Sequence, residues 1–246
     1  MRLFLITLFF LIIHSLASAN TIYYLTKIPN LGIYDLTASN GIKYLKAEKS
    51  FKVGIVKNNV QCDKPDENII KSKFRIIKKN LDKYQKNFLE NINLKYIVLC
   101  ENLEVSNIKT AGVPNHNVKT LIIDIKSDER YFERSIHHEL FHMVDDSFEL
   151  LFPSQEWSKF NTPKFKYAEC STCSNRTNLS LIKNSNGFLT EYSMSTASED
   201  MAEIFSFLMT DKENLLSMAL KDPILNNKIN FLITEIKKID NKFNFK

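Results

Sequence analysis

The sequence predicts an α+β fold, with a small, early, mixed sheet followed by helices, and three observations point to it. The stretches "LKYIVLC" (94–100) and "KTLIIDI" (119–125) are short, β-branched and bounded by turn residues, as strands are. Apolar residues recur every three or four positions over 69–92, from about 129 into the 140s, and over 198–209, as on amphipathic helices. No repeat, low-complexity tract or linker divides the chain, and 44% hydrophobic content is enough for one sizeable core.

The first residues, MRLFLITLFFLIIHSLASA, hold one basic residue, an apolar run and a small-residue Ala17-Ser18-Ala19 ending. This pattern predicts a signal peptide over 1–19, with the mature chain starting at Asn20. Its apolar centre is nearer ten residues than the roughly twenty that a membrane span requires. The expected product is therefore secreted or periplasmic, without a stable membrane anchor. "SFKVGIV" (50–56) reads as a further strand. The apolar series Ile70, Phe74, Ile77, Leu81, Tyr84, Phe88 and Ile92 predicts one long helix, and Asp128 is a candidate cap for the next. Residues 146–190 are mostly irregular, and two C-terminal helical segments are divided by Pro223.

Cys62, Cys100, Cys170 and Cys173 all lie beyond the expected cleavage point, and an even number in an oxidising compartment favours disulfides. Three pairings are possible. Cys62 with Cys100 and Cys170 with Cys173 is preferred, because the second pair is held close by its spacing. A zinc knuckle at Cys170–Cys173 would need a second CxxC or a nearby histidine pair. The net charge of +5 becomes +4 once Arg2 leaves with the leader, and it is spread over a lysine-rich surface. That is no nucleic-acid signature.

The stretch "SIHHELFHMVDD" (135–146) carries three of the five histidines, two of them in the order HExxH. On a helix, His138 and His142 lie one turn apart on one face and can aim both imidazoles at one point, two ligands of a zinc site. Glu139 falls within the apolar stripe of Phe132, Ile136, Leu140 and Met143, a costly place for a carboxylate without a duty. Taking a proton from a metal-bound water would be such a duty. A third ligand must come from elsewhere, since Asp145 and Phe148 stand where a longer HExxHxxGxxH pattern needs Gly and His. In "GFLTEYSMSTASEDMAEIFSFLM" (187–209), Glu199 and Glu203 share a helical face, an arrangement that suits one ligand and one carboxylate orienting a histidine. Glu199 also fits a capping box with Thr196. His137 shares a face with Phe141 away from the pair, His116 sits in a loop, and Asp145 and Asp146 fall at the helix end.

HExxH followed, after an insertion, by "EYSMSTASEDMAEIF" resembles the gluzincin-type secreted zincin peptidases, among them the anthrax lethal factor catalytic domain. It is also similar to bacterial zinc-binding peptidases that carry Trp, Asn, Phe and Tyr between the two motifs, here Trp157, Asn161, Phe165 and Tyr167, and a Gly-Phe start to the second, here Gly187-Phe188. The resemblance spans about 118–210 and implies a zincin-like fold. It implies His138, His142 and Glu199 as ligands of one Zn2+ per chain, Glu139 as general base, Tyr192 as the oxyanion donor and Glu203 behind a ligand. The insertion is longer than in lethal factor, so the shape of the cleft does not carry over. The expectation is a secreted zinc endopeptidase forming a single domain over 20–246, its catalytic core at about 70–210, acting as a monomer on peptide or protein substrates. The alternative is a zinc-binding but inactive binding or toxin-accessory protein. An extended substrate is expected along the edge of the 121–125 strand.

Overall fold

A computed structural model describes residues 31–54, 59–182 and 186–245; the expected leader, 1–19, lies outside them. Among the described residues eight strands form one open sheet: β1 (Leu31–Asp35), β2 (Lys43–Ala47), β3 (Phe51–Val53), β4 (Val60–Asp63), β5 (Tyr96–Val105), β6 (Ile108–Lys109), β7 (Gly112–Asn115) and β8 (Thr120–Asp124). The sheet is larger than expected because β1, β2, β4, β6 and β7 are short and carry turn or polar residues that hide their pattern.

Strand β5 is long enough to serve two neighbourhoods. Its first half pairs in parallel with β2 on one side and β8 on the other, while its second half pairs antiparallel with β4 and β6. Because side chains alternate across a strand, Ile97 and Leu99 enter the main core under the helices, while Val98 and Cys100 join a smaller one with Phe51 and Ile122; Leu103 joins it too, after Asn102, at φ +50°, breaks the alternation. The Cys62–Cys100 disulfide ties β4 to β5 at this junction. The second bridge, Cys170–Cys173, closes a 3-10 turn, so both preferred pairings are formed.

Strand β8 pairs with β5 on one side and β7 on the other. It has no free edge, which overturns the expectation that substrate lies along it. On this side of the sheet the edge strand is β7, which pairs only with β8 among the described residues.

Among the described residues the helices are α1 (Glu67–Leu81), α2 (Lys86–Asn91), α3 (Phe132–Ser147), α4 (Ser154–Ser158), α5 (Ala197–Thr210), α6 (Lys212–Ala219) and α7 (Pro223–Ile239). Asp66 caps α1 by accepting from the Asn68 and Ile69 amides. The single long helix expected over 69–92 is two, broken after Leu81. Tyr84 and Phe88 still point inward across the turn, so the apolar period continues where the helix does not. The expected cap Asp128 instead holds a turn, accepting from the Arg130 amide, and α3 begins at Phe132. Asp222 caps α7, whose first residue is Pro223, where the missing N–H costs nothing.

Helix α3 buries Phe132, Ile136, Leu140, Phe141, Met143 and Val144 against the sheet and α5. Each contributes about 1.5–3 kcal/mol of burial. That anchoring holds the HExxH segment beside β7.

Candidate metal centre

Three ligand-type atoms from two helices converge. His138 Nε2 lies 2.9 Å from Glu199 Oε2, His142 Nε2 lies 3.3 Å from the same oxygen, and the two imidazole nitrogens are 3.3 Å apart. The i, i+4 spacing of α3 aligns the histidines, and α5 packs across α3 to present Glu199. Thr196 Oγ1 accepts from the Glu199 amide, so the capping role expected of that sequence is half present; the Glu199 side chain turns to the histidines instead of back to the cap.

The other edge of each imidazole is anchored. His138 Nδ1 donates to Glu203 Oε1 at 3.0 Å, and Glu203 Oε2 accepts from Thr190 Oγ1 at 2.8 Å. His142 Nδ1 is 3.2 Å from Ser198 Oγ, whose own hydrogen goes to Asp145 Oδ2 at 2.6 Å. With both Nδ1 atoms donating, both Nε2 atoms turn lone pairs toward the Glu199 carboxylate. Three acceptors facing one another repel unless positive charge joins them. The pocket draws that charge strongly. Burial opposes a proton on His138, but hydrogen bonds to Glu199 and Glu203 and their charges outweigh it and lift the imidazole to about 10. Burial likewise raises Glu199, yet the histidines overcome it and hold the carboxyl well below the usual range.

Glu139 does not point into the core as the helical wheel suggested. It is half-buried, lines the cleft, and lies against β7, where a Cβ added to Gly112 would stand 2.6 Å from Glu139 Cγ and 3.1 Å from the Ile122 carbonyl oxygen. Only a glycine leaves room for this side chain. Burial raises the Glu139 carboxyl above its ordinary value, making it a better proton acceptor. Tyr192, on a 3-10 turn, places its ring 5.8 Å from that of His138. Burial, and then the charges of Glu199 and Glu139, keep its phenol protonated. These groups line one cleft of about 830 Å³.

His137 turns the opposite way, into the core, where Tyr84 donates to Nδ1 at 2.5 Å and Nε2 bonds Asn80 Oδ1 at 3.0 Å. Burial holds it neutral. His116 pairs with Asp146 at 3.5 Å, at the far end of α3.

Behind Glu199 lies a buried hub. Asp200 Oδ2 accepts from Lys228 Nζ at 2.7 Å, Trp157 Nε1 at 2.8 Å and Tyr167 OH at 2.6 Å. Lys228 also donates to the Gly187 carbonyl and sits 3.9 Å from the Phe188 ring centroid, with the Phe165 ring tilted against that of Phe188 and Asn161 also buried. The hub joins the insertion, the Gly-Phe turn and α7 to the residue next to Glu199. Sequence reading missed Gly112, Ser198, Asp200 and Lys228. Lys228 did leave a signal, standing in the apolar series Leu225, Ile229, Leu232 and Ile236; Gly112 and Ser198 left none.

A family model described as "Putative zinc-binding metallo-peptidase" matches residues 84–245. Among solved structures, the fold is similar to the crystal structure of a "putative zinc-binding metallo-peptidase" from Bacteroides caccae, at 16% identity over 82% of each chain with a TM-score of 0.51. No curated protein matches the chain significantly.

Proposed function

Because the chain belongs to the family described as "Putative zinc-binding metallo-peptidase", we propose that it is a secreted zinc-dependent endopeptidase using His138, His142 and Glu199 as the ligands of one zinc ion. The observation that carries this reading is the donor triangle. Ligands about 2.0–2.1 Å from a tetrahedral zinc stand about 3.3 Å from one another, and the three atoms are 2.9 to 3.3 Å apart. Two neutral imidazoles and a carboxylate, backed by hydrogen-bonded neighbours, also suit a catalytic zinc that keeps an open position. Bound there, zinc would supply Lewis acidity, polarising a peptide carbonyl and acidifying water.

The remaining work falls to the chain. Glu139 takes the proton of the attacking water and returns it to the departing amine. Tyr192 OH donates a hydrogen bond where negative charge grows on the carbonyl oxygen. Glu203 and the Ser198–Asp145 pair fix the tautomer and direction of the two histidines. The unpaired edge of β7, beside Glu139, offers an extended peptide main-chain partners.

Ser198→Ala is expected to weaken zinc binding by about 10–100-fold, because His142 then loses its anchor. Competition with a chromophoric chelator measures it; unchanged affinity would remove Ser198 from the site. Export is supported by the two disulfides, which accord with an oxidising compartment, and by the leader expected from the sequence. No helix among the described residues is long and apolar enough to cross a membrane. We take the working form to be a monomer.

The test is digestion of a diverse peptide library by the zinc-loaded protein, read by mass spectrometry, then repeated after chelation and after zinc is returned. Discrete cuts that vanish with the metal and return with it are expected. One zinc per chain with no peptide cut would favour the inactive binding protein.

A further inference from the structure

Arg134 lies on α3 one turn before His138, about 6 Å along the helix, and lines the same cleft. Its side chain is only 13% exposed. An arginine keeps its charge and carries five N–H donors, yet among the described residues a single hydrogen bond is spent, from Nη2 to the Leu179 carbonyl at 2.6 Å. Glu203 Oε2 forms an ion pair with Nη2 at 3.7 Å, too long for a hydrogen bond, and the Glu203 oxygens already bond His138 and Thr190. No Arg134 nitrogen is among the sealed polar atoms without a partner, so its spare donors keep some access to solvent, and the residue lines the cleft. The guanidinium is also held in place, 4.5 Å from the Phe207 ring centroid and 5.0 Å from that of Tyr131.

The cleft has a direction. Gly112 lies beside Glu139 and His116 beside Asp146, so β7 and the turn after it run alongside α3 in the same sense. Lys109, which precedes Gly112 and also lines the cleft, therefore falls toward the Arg134 end. One end carries two cations, Arg134 and Lys109, with Glu203 beside Arg134. The other carries Asp146.

We propose that Arg134 is a specificity residue that binds a carboxylate on the substrate within a residue or so of the cut bond, with Lys109 reinforcing it at the rim. This rests on the peptidase reading. A fixed fork of unspent N–H donors fits a carboxylate by paired hydrogen bonds, and little freedom is lost on binding because the side chain is already ordered. An acidic side chain and a free C-terminus offer the same group. The preferred substrate class is peptides carrying one of them.

The test uses zinc-loaded Glu139→Gln protein, so that binding is read without turnover. Fluorescently labelled alanine hexapeptides carry a single Glu or Gln at each position in turn, with the C-terminus free or amidated, and anisotropy gives each affinity. A carboxylate over carboxamide preference of about ten- to a hundredfold is expected, collapsing to about one when Arg134→Gln is added. Arg134→Lys should keep part of it, which separates charge recognition from misfolding should the Gln variant be unstable. Preference within the Glu/Gln pairs identifies a side chain, and preference within the free/amidated pairs identifies the terminus. No preference, or one that survives Arg134→Gln, overturns the assignment. Wild-type protein cutting the library without carboxylate preference sinks this inference alone. Carboxylate binding through Arg134 with no peptide ever cut sinks the peptidase reading alone.

Discussion

Glu139→Gln is expected to lower kcat/KM on any peptide the protein cuts by about 10²–10⁴-fold, the range that a positioned general base supplies. The amide has the shape of the carboxylate but cannot take a proton from water. Zinc stoichiometry should stay at one per chain, because Glu139 stands apart from the three donors that converge on one point. Burial raises this carboxyl, which brings its basicity nearer to working pH. Gly112→Ala should give a milder form of the same defect. The new methyl would stand 2.6 Å from Glu139 Cγ, so the base must move, and a displacement of about 1 Å is enough to cost about 10²-fold in kcat. The paired measurement is steady-state kinetics with metal analysis. A Glu139→Gln protein within a few-fold of wild type would remove Glu139 from the chemistry, and a Gly112→Ala protein with an altered KM alone would show that the glycine serves substrate binding.

Lys228→Met is expected to destabilise the fold by about 3–5 kcal/mol, because it leaves the Asp200 carboxylate buried with its charge uncompensated. Both side chains have no exposed surface. Burial pushes Asp200 up and Lys228 down, and each is opposed by the charge of the other. For a chain of this size, that loss corresponds to a fall in Tm of very roughly 6–20 °C. Asp200→Asn combined with Lys228→Met should recover part of it, since the amide can still accept from Trp157 and Tyr167. Urea unfolding of the two single variants and the double variant completes the cycle. Losses under about 1 kcal/mol, adding without coupling, would show that the pair does not hold the fold.

The damage should reach the metal centre as well. Asp200 adjoins Glu199 on α5, and its partners come from α4, the insertion and α7. The long insertion that obscured the site in sequence is thereby attached to the helix that presents Glu199. Its aromatic residues pack around that attachment.

What could be read early follows from the range of each interaction. His138 and His142 are legible because a shared helical face is a property of spacing within one element. Glu139 stood out as a carboxylate in an apolar stripe. The break between α1 and α2 was hidden for the converse reason, since burial of Tyr84 and Phe88 preserves the period through a turn. Strands β2 and β7 gave no pattern because they are short and gain their pairing from β5 and β8, far along the chain. The free edge went to β7 because β8 is claimed on both sides, which no local stretch reveals.

By itself, then, the sequence determined the helical pair of histidines, the acidic helix that answers it and the α+β class, and it favoured one of three cysteine pairings. Only the tertiary structure decided that Glu199 meets both imidazoles while Glu203 stands behind one of them, that Gly112 makes room for the base, and that Ser198, Lys228 and Arg134 take part. The physical reason is that the serine, the glycine and the arginine are unremarkable in composition and periodicity, and that the lysine's place in an apolar series does not name its partner. Their roles come from what packing brings within about 3 Å of them, and they meet partners tens of residues away along the chain.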